Sequence, residues 1–507
     1  LAAANASVRL FAVDEAHCVS EWGHDFRTSY LNLGRLLKDL TRTANDPEGP
    51  PVLALTGTAS RAVLRDVLIE LDIERDGERS VIQPNTFDRS ELSYTIQVEH
   101  PSTATPALVG LMRSLPRRFG LPAGTFFASR GTETASGIVF CPHKRGSFGV
   151  VDVAEAISNV TGDYVPVYAG SAPRGYDRDD WEQTKRMNAQ AFMDNSSPIL
   201  VSTKAFGMGI DKPNVRYVIH LGIPGSIESY YQEVGRAGRD RKKSECVLLM
   251  TEYDESRNRN LLDEDLDLEL VRQRQEQIGR TSKDDVANQL FFLLNSFVGE
   301  ENELQVIEGL LDEFGDRLGA ANAISIPMGS PGEQKLREKG LHRLVILGVL
   351  RDYTVDWGGK SFEVDLAGVS SSQVAEALFS FVRRSQPGRV ETIRGQVGST
   401  DDQLLRQTIV HCARTLISFV YDTIERSRRR SLREMWLAAR EGQNDPNGAF
   451  RERILDYLTQ GAIAPKLEKL VDQSIVELDD WQELLEEVVE NAKVGQLEPA
   501  AELRGGS

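Results

Sequence analysis

The sequence is short of cysteine, and the few it has are scattered. Cys18, Cys141, Cys246 and Cys412 are its four, and none forms a C-x-x-C pair. That argues against a disulfide framework and a local zinc cluster, so no zinc is expected. His411 beside Cys412 reads as helix packing rather than a metal site. No apolar run approaches the roughly eighteen residues of a membrane helix, so no membrane partner is expected. The opening LAAANASVRLFAVDEAH has neither the basic start nor the apolar core of a secretory signal, and a cytoplasmic protein is expected. Positive charge is in deficit: the net charge is −17 over 507 residues. Nucleic-acid binders are ordinarily basic, so any such binding has to be local and salt-sensitive. No G-x-x-x-x-G-K-[ST] phosphate loop occurs, and neither Lys144 nor Lys204 follows one.

What is present is an ordinary globular composition, 40% hydrophobic and 27% charged. The length suits about three domains. Two stretches organise it. In Phe11–Arg27 (FAVDEAHCVSEWGHDFR) the apolar run Leu10–Val13 ends abruptly in Asp14 and Glu15. That is a buried parallel strand delivering carboxylates to its C-terminal end, where ligands bind in α/β sheets. Asp14 suits a water-bridged Mg²⁺ contact. Glu15 suits orienting or deprotonating a water that attacks a γ-phosphate. The plain alternative is a strand-end acidic cluster with no role.

In Val201–Arg241 the apolar strand Pro198–Ser202 leads to the turn Phe206–Ile210, which holds Gly207 and Gly209. Then comes Gln232-x-x-Gly235-Arg236-x-Gly238-Arg239. Two arginines three apart, read as one helical face, suit a polyphosphate. A guanidinium that neutralises transition-state charge is an arginine finger. The alternative is a solvated basic turn. The two stretches together, in this order and each at a strand–loop boundary, favour the chemistry.

On these residues the chain resembles the RecQ family of DNA helicases, in helicase superfamily two. The matched pieces are DEAH (Asp14–His17), CVSEWGHDFR (Cys18–Arg27), LTGTA (Leu55–Ala59), SGIVFC (Ser136–Cys141), VYAG (Val167–Gly170), STKAFGMGIDKPNVR (Ser202–Arg216) and IESYYQEVGRAGRD (Ile227–Asp240). They run in family order through a little under half of the chain. The aromatic loop after DEAH is the most RecQ-specific; the others are shared across the superfamily. The resemblance implies an α/β fold of tandem RecA-like lobes, the first incomplete, followed by a winged helix; the α-helical C-terminal region is read from its apolar periodicity and matches no known accessory domain of the family. The resemblance also implies ATP and Mg²⁺ as cofactors, single-stranded and duplex DNA as partners, and 3′-to-5′ movement.

By the same resemblance Asp14, Glu15, His17, Gln232, Arg236 and Arg239 serve hydrolysis, with Arg239 as the finger. Gly207, Gly209 and Asp211 line the nucleotide side, and Asp211 bridges towards DNA. Trp22, His24, Phe26 and Arg27 sense unpaired DNA, which suits exposed aromatics beside an arginine; the alternative is that Trp22 and Phe26 plug a core. Thr56 and Thr58 couple hydrolysis to DNA contact, a role compatible with simple capping of the next helix. Thr203, at a strand end, suits a phosphate-backbone hydrogen bond. Gly57 stands where the family usually has Ala, and Tyr168 where it commonly has His. The family's phosphate loop, glutamine motif and four-cysteine zinc module are missing. The ATP site then belongs to a longer polypeptide, is completed by a second one, or does not hydrolyse ATP.

The expected domains are 1–98 (rear part of the first lobe), 99–255 (second lobe), 256–280 (charged linker), 281–370 (winged-helix-like) and 371–507 (helical). Residues 115–136 read as a surface insertion. Helix, helix, helix, hairpin is the winged-helix order, and Lys335 and Arg343 on the third helix are candidate phosphate contacts; a protein-docking module is the alternative. The basic run Arg426–Arg433 suits either a DNA backbone or a face neutralising the acidic helix Asp479–Asn491. The leading expectation is an ATP-driven helicase in repair, recombination or defence. The alternatives are a non-catalytic DNA-binding or assembly subunit on a motor scaffold and, more weakly, an RNA or chromatin-remodelling motor.

Overall fold

The structure, a computed structural model, describes residues 8–21, 33, 50–57, 61–71, 73, 81–82, 86–146, 148–173, 175–207, 210–297, 299–398 and 404–460. The chain divides into two compact units. One comprises Leu1–Gln83, Leu294–Arg426 and Gln460–Ser507; the other comprises Pro84–Leu293 and Ser427–Thr459.

In the first unit, β1 (Phe11–Val13) pairs in parallel with β2 (Val52–Ala54). Val13, Ala16 and Val19 pack against Val63 and Val67 of the helix Arg61–Glu70 and against Leu71 just after it. Both strands end where a motif begins, so their carboxyl ends carry Asp14 and Leu55 side by side.

The second unit is built on a six-stranded, wholly parallel sheet. Its strands are β3 (Leu92–Glu99), β4 (Ser136–Phe140), β5 (Val167–Tyr168), β6 (Ile199–Ser202), β7 (Val215–Leu221) and β8 (Ser244–Thr251), in the order β3-β8-β7-β4-β6-β5. β4, β6 and β8 are buried along their whole length. Near-continuous apolar runs of this kind are what a parallel sheet covered on both faces requires. The boundary expected at 98 is corrected by β3, which pairs with β8 along Leu92–Glu99. Residues 115–136 are not a surface insertion: Phe126 and Phe127 are buried in the core beside Tyr217 and Leu115. Residues 256–280, the charged stretch, are largely helical. They hold most of the helix Glu255–Leu261 and all of Leu268–Glu276, capped by the Asp254 and Asp267 side chains.

The helix Asp285–Ser296 is tied to the carboxyl end of the sheet by two adjacent buried carboxylates. Asp284 accepts from Arg257 Nη2 (2.6 Å), Asn258 Nδ2 (2.8 Å) and the Tyr253 N–H (3.0 Å). Asp285 accepts from the Thr251 N–H (2.8 Å), Thr251 Oγ1 (2.6 Å) and the Ile223 N–H (3.1 Å). Burial pushes the Asp285 carboxyl up to about 7.

The remaining strands belong to the first unit: β9 (Asn322–Pro327), β10 (Leu350–Asp356) and β11 (Ser361–Leu366), antiparallel in the order β10-β11-β9. They accompany the helices Glu300–Phe314 and Pro331–Ile346. The expected order lacked β9, a six-residue strand between the last two of the three expected helices. Gly340 lets these two helices close, since a Cβ there would lie 2.9 Å from Leu310 Cδ1. Ser330 and Glu333 form a capping box, with Pro331 starting the helix.

The C-terminal region is helical through Ser371–Ser385, Val390–Val397, Leu405–Glu441 and Ala449–Gln460. Residues 426–433 lie inside the long helix. In the second unit Arg430 Nε pairs with Glu264 (2.6 Å), Arg433 lies 3.5 Å from the same carboxylate, and Arg429 donates to the Glu264 carbonyl (3.1 Å). Arg440 bridges Glu252 and Glu255. The basic run therefore neutralises the acidic stretch after β8. Asp479–Asn491 lies outside the described residues.

Candidate functional site

The carboxylate cluster forms where β1 runs out. Asp14 is exposed and its Oδ1 accepts the Glu15 N–H (2.9 Å). Glu15 has φ +50°, a left-handed conformation that is costly for a residue with a side chain. The Ala16 N–H donates to the Leu55 carbonyl (2.9 Å), which locks the turn onto the neighbouring motif. His17 is buried, and its Nδ1 lies 3.0 Å from Thr56 Oγ1 and 3.3 Å from Glu15 Oε2. Burial lowers the His17 pKa, with Glu15 and Asp14 opposing the shift, so the ring is favoured in its neutral form. A neutral imidazole has one donor and one acceptor to offer. Glu15 Oε2 and Thr56 Oγ1 thus approach the same ring nitrogen, so the carboxylate and the second motif meet at one buried imidazole.

The arginine cluster of the second unit starts from Ile227–Val234, a helix capped by Ser226. The helix stops at Val234, and Gly238 has φ +63°. Arg236 and Arg239 therefore sit in a turn, which corrects the shared helical face expected for them. Their environments differ. Arg236 is buried, and its Nη2 lies 3.0 Å from where a Cβ on Gly207 would be. Glycine at 207 makes room for that guanidinium. Arg239 is more than a third exposed and pairs with Asp211 at 3.0 Å; Asp211 is 83% exposed. Gln232 is half-buried one turn earlier. Thr203 is half-buried at the end of β6, where its Oγ1 accepts the Ala205 N–H (3.4 Å).

A supporting set was not read from the sequence. Arg89 donates to the carbonyls of Gly235 (2.7 Å), Ala237 (2.8 Å) and Gly238 (3.1 Å), and Glu91 holds its Nε (2.8 Å). Arg216 braces Asp240 (2.5 Å), and His220 meets Glu233 (2.7 Å). Under the Ile210–Asn214 segment, Lys212 Nζ donates to Asn195 Oδ1 (2.5 Å), and burial lowers its pKa to about 8. Arg89 is 146 positions from Gly235, so no local pattern announces it.

Arg343 is not available to a phosphate. It is buried, its Nε donates to Glu303 (2.8 Å), and Tyr421 Oη donates to the same carboxylate (3.1 Å). Lys335, on the same helix, is exposed. Trp22, His24, Phe26, Arg27, Thr58 and Gly209 lie outside the described residues.

Residues 131–241 match the family model of the helicase conserved C-terminal domain. The chain is similar to the probable ATP-dependent DNA helicase RecS of Bacillus subtilis, 34% identical over 242 residues, covering 48% of this chain and 41% of the relative. It is also similar to the ATP-dependent DNA helicases RecQ of Pasteurella multocida (30% over 371 residues; 68% and 51%) and Haemophilus influenzae (31% over 369 residues; 68% and 52%). The chain spans about half the length of these curated relatives.

Proposed function

We propose that this chain, a member of the RecQ family of helicases, supplies working residues of an ATP-driven motor that moves 3′ to 5′ on single-stranded DNA and unwinds duplex DNA. Repair, recombination or defence against foreign DNA is its setting, in the cytoplasm. The observation that supports this most is the Glu15–His17–Thr56 cluster. A strained carboxylate at a strand end, sharing one nitrogen of a buried neutral imidazole with a hydroxyl of the next motif, has no evident packing purpose. It is what a hydrolytic site needs in order to feel DNA.

In this reading Glu15 orients and deprotonates the attacking water, and His17 holds Glu15 and Thr56 in one arrangement. Asp14, an exposed hard oxygen donor, fits Mg²⁺ held through water. Bound there, the metal would neutralise phosphate charge. Gln232, Arg236 and Arg239 face the γ-phosphate, with Arg239 exchanging its weak pairing to Asp211 for the developing charge. Gly207, Gly209 and Asp211 border the nucleotide. Trp22, His24, Phe26, Arg27, Thr58, Thr203 and Lys335 contact DNA, and the helices with the β9–β11 sheet act as a winged-helix-like module on duplex. The phosphate loop comes from a second polypeptide or from residues outside these 507.

The test is Glu15→Gln in the complete motor. DNA-stimulated ATP hydrolysis is expected to fall about 10²- to 10⁴-fold while nucleotide still binds. An unchanged rate would sink the general-base role and favour a non-catalytic subunit.

A further inference from the structure

The helix Asp285–Ser296 buries Val286, Ala287 and Leu290. Its outer side ought to be polar. Instead it carries Phe291 and Phe292, 45% and 44% exposed. Their ring centroids are 5.9 Å apart, and they are not bare. Lys283 Nζ lies 5.4 Å from the Phe291 centroid, and the His143 ring lies 5.5 Å from that of Phe292. His143 opens the loop that leaves β4, where Lys144 and Arg145 are both exposed. Burial, with the nearby Lys283 charge, keeps His143 towards its neutral form. Asp285 bonds this helix to Thr251 and Ile223 at the carboxyl ends of β8 and β7. The rings are therefore held on a rigid support at the ligand-binding edge of the sheet.

Two exposed aromatic rings, one under a lysine ammonium and one against an imidazole, in a chain of net charge −17, form a local exception to the molecule's chemistry. A partner with flat apolar rings on an anionic backbone satisfies both parts of it. We infer that Phe291 and Phe292, flanked by Lys283 and His143, are a stacking platform for unpaired bases of a single strand, with the Lys283 ammonium placed for a phosphate. This rests on the reading of the chain as part of a DNA motor and adds a contact outside the helicase motifs.

The experiment is fluorescence anisotropy of labelled oligothymidylate on the full chain across a salt series. Phe291→Leu and Phe292→Leu keep the apolar volume and remove the π face. Each is expected to weaken binding about tenfold. Phe291→Tyr and Phe292→Tyr are expected to bind as wild type does. Lys283→Ala is expected to lower the salt slope by about one. A strand carrying 5-iododeoxyuridine is expected to photocrosslink to these two rings. Leucine variants that bind within twofold of wild type would overturn the platform and leave the motor reading standing. Wild type that binds no single strand would remove both. Unchanged DNA affinity with an altered sedimentation coefficient would overturn the proposal in favour of a protein occupant.

Discussion

Arg343 and Arg239 are arginines that charge patterning nominates alike for a phosphate, and the regions that hold them use the charge in opposite ways. Around Arg343 the chain closes completely. Its side chain is 3% exposed and that of Glu303 is 0%, with Tyr421 and Lys339 completing the shell. Desolvation has been offset by permanent partners, so the guanidinium is committed to holding two helices together. Around Arg239 the chain stays open, and the pairing with Asp211 is screened by water. Such a pair is worth little and exchanges easily. A charge that must reach a phosphate needs a weak resting partner, and a charge that must hold a fold needs a buried one.

The sharpest way to break this comparison is Arg239→Ala. Hydrolysis in the complete motor is expected to fall about a thousandfold or more, with thermal stability near wild type. A large loss of stability would put Arg239 in the same class as Arg343.

Arg343→Ala comes next. Leaving the buried Glu303 without its main partner, with only Tyr421 and the more distant Lys339, is expected to cost about 3 kcal/mol in urea unfolding. Replacing both partners with apolar residues of similar volume is expected to recover most of that. A variant as stable as wild type that binds DNA less well would restore Arg343 as a phosphate contact.

The smallest effect concerns a buried charge with no cation beside it. Asp284 has Arg257, whereas Asp285 has only neutral donors. Burial raises the folded Asp285 pKa to about 7 from an ordinary 3.8. The sign follows from linkage: the folded state holds the proton more tightly, so the stability Asp285 confers is full below about pH 4 and is lost as pH rises to about 7. Asparagine can accept from both N–H groups and donate to Thr251 Oγ1. Asp285→Asn is therefore expected to flatten the melting temperature between pH 4 and 7 relative to wild type. A parallel pair of melting curves would mean that Asp285 is ionised throughout.

The same contrast explains what was legible. The strand ends at Val13, Ser202 and Leu221 are visible in the sequence because apolar runs and their abrupt polar stops are local signals. The placement of Asp14, Glu15 and Gly207 just past such ends follows from that. Phe126 was misread because a Gly- and Thr-rich neighbourhood hides a ring that packs on Tyr217, distant in sequence. The pairing of the run 426–433 with Glu264 was not legible because Glu264 lies 166 positions before Arg430.

By itself the sequence determined which chemical groups the protein has and where along its strands they emerge, since both depend on identity and short-range periodicity. Only the tertiary structure decided which of those groups remain available. It buried Arg343, propped Arg236 under Gly207, joined His17 to Thr56 and left Phe291 and Phe292 in solvent. The physical reason is that the worth of a charge or a ring is set by its desolvation and its partners, and both are supplied by residues far away along the chain.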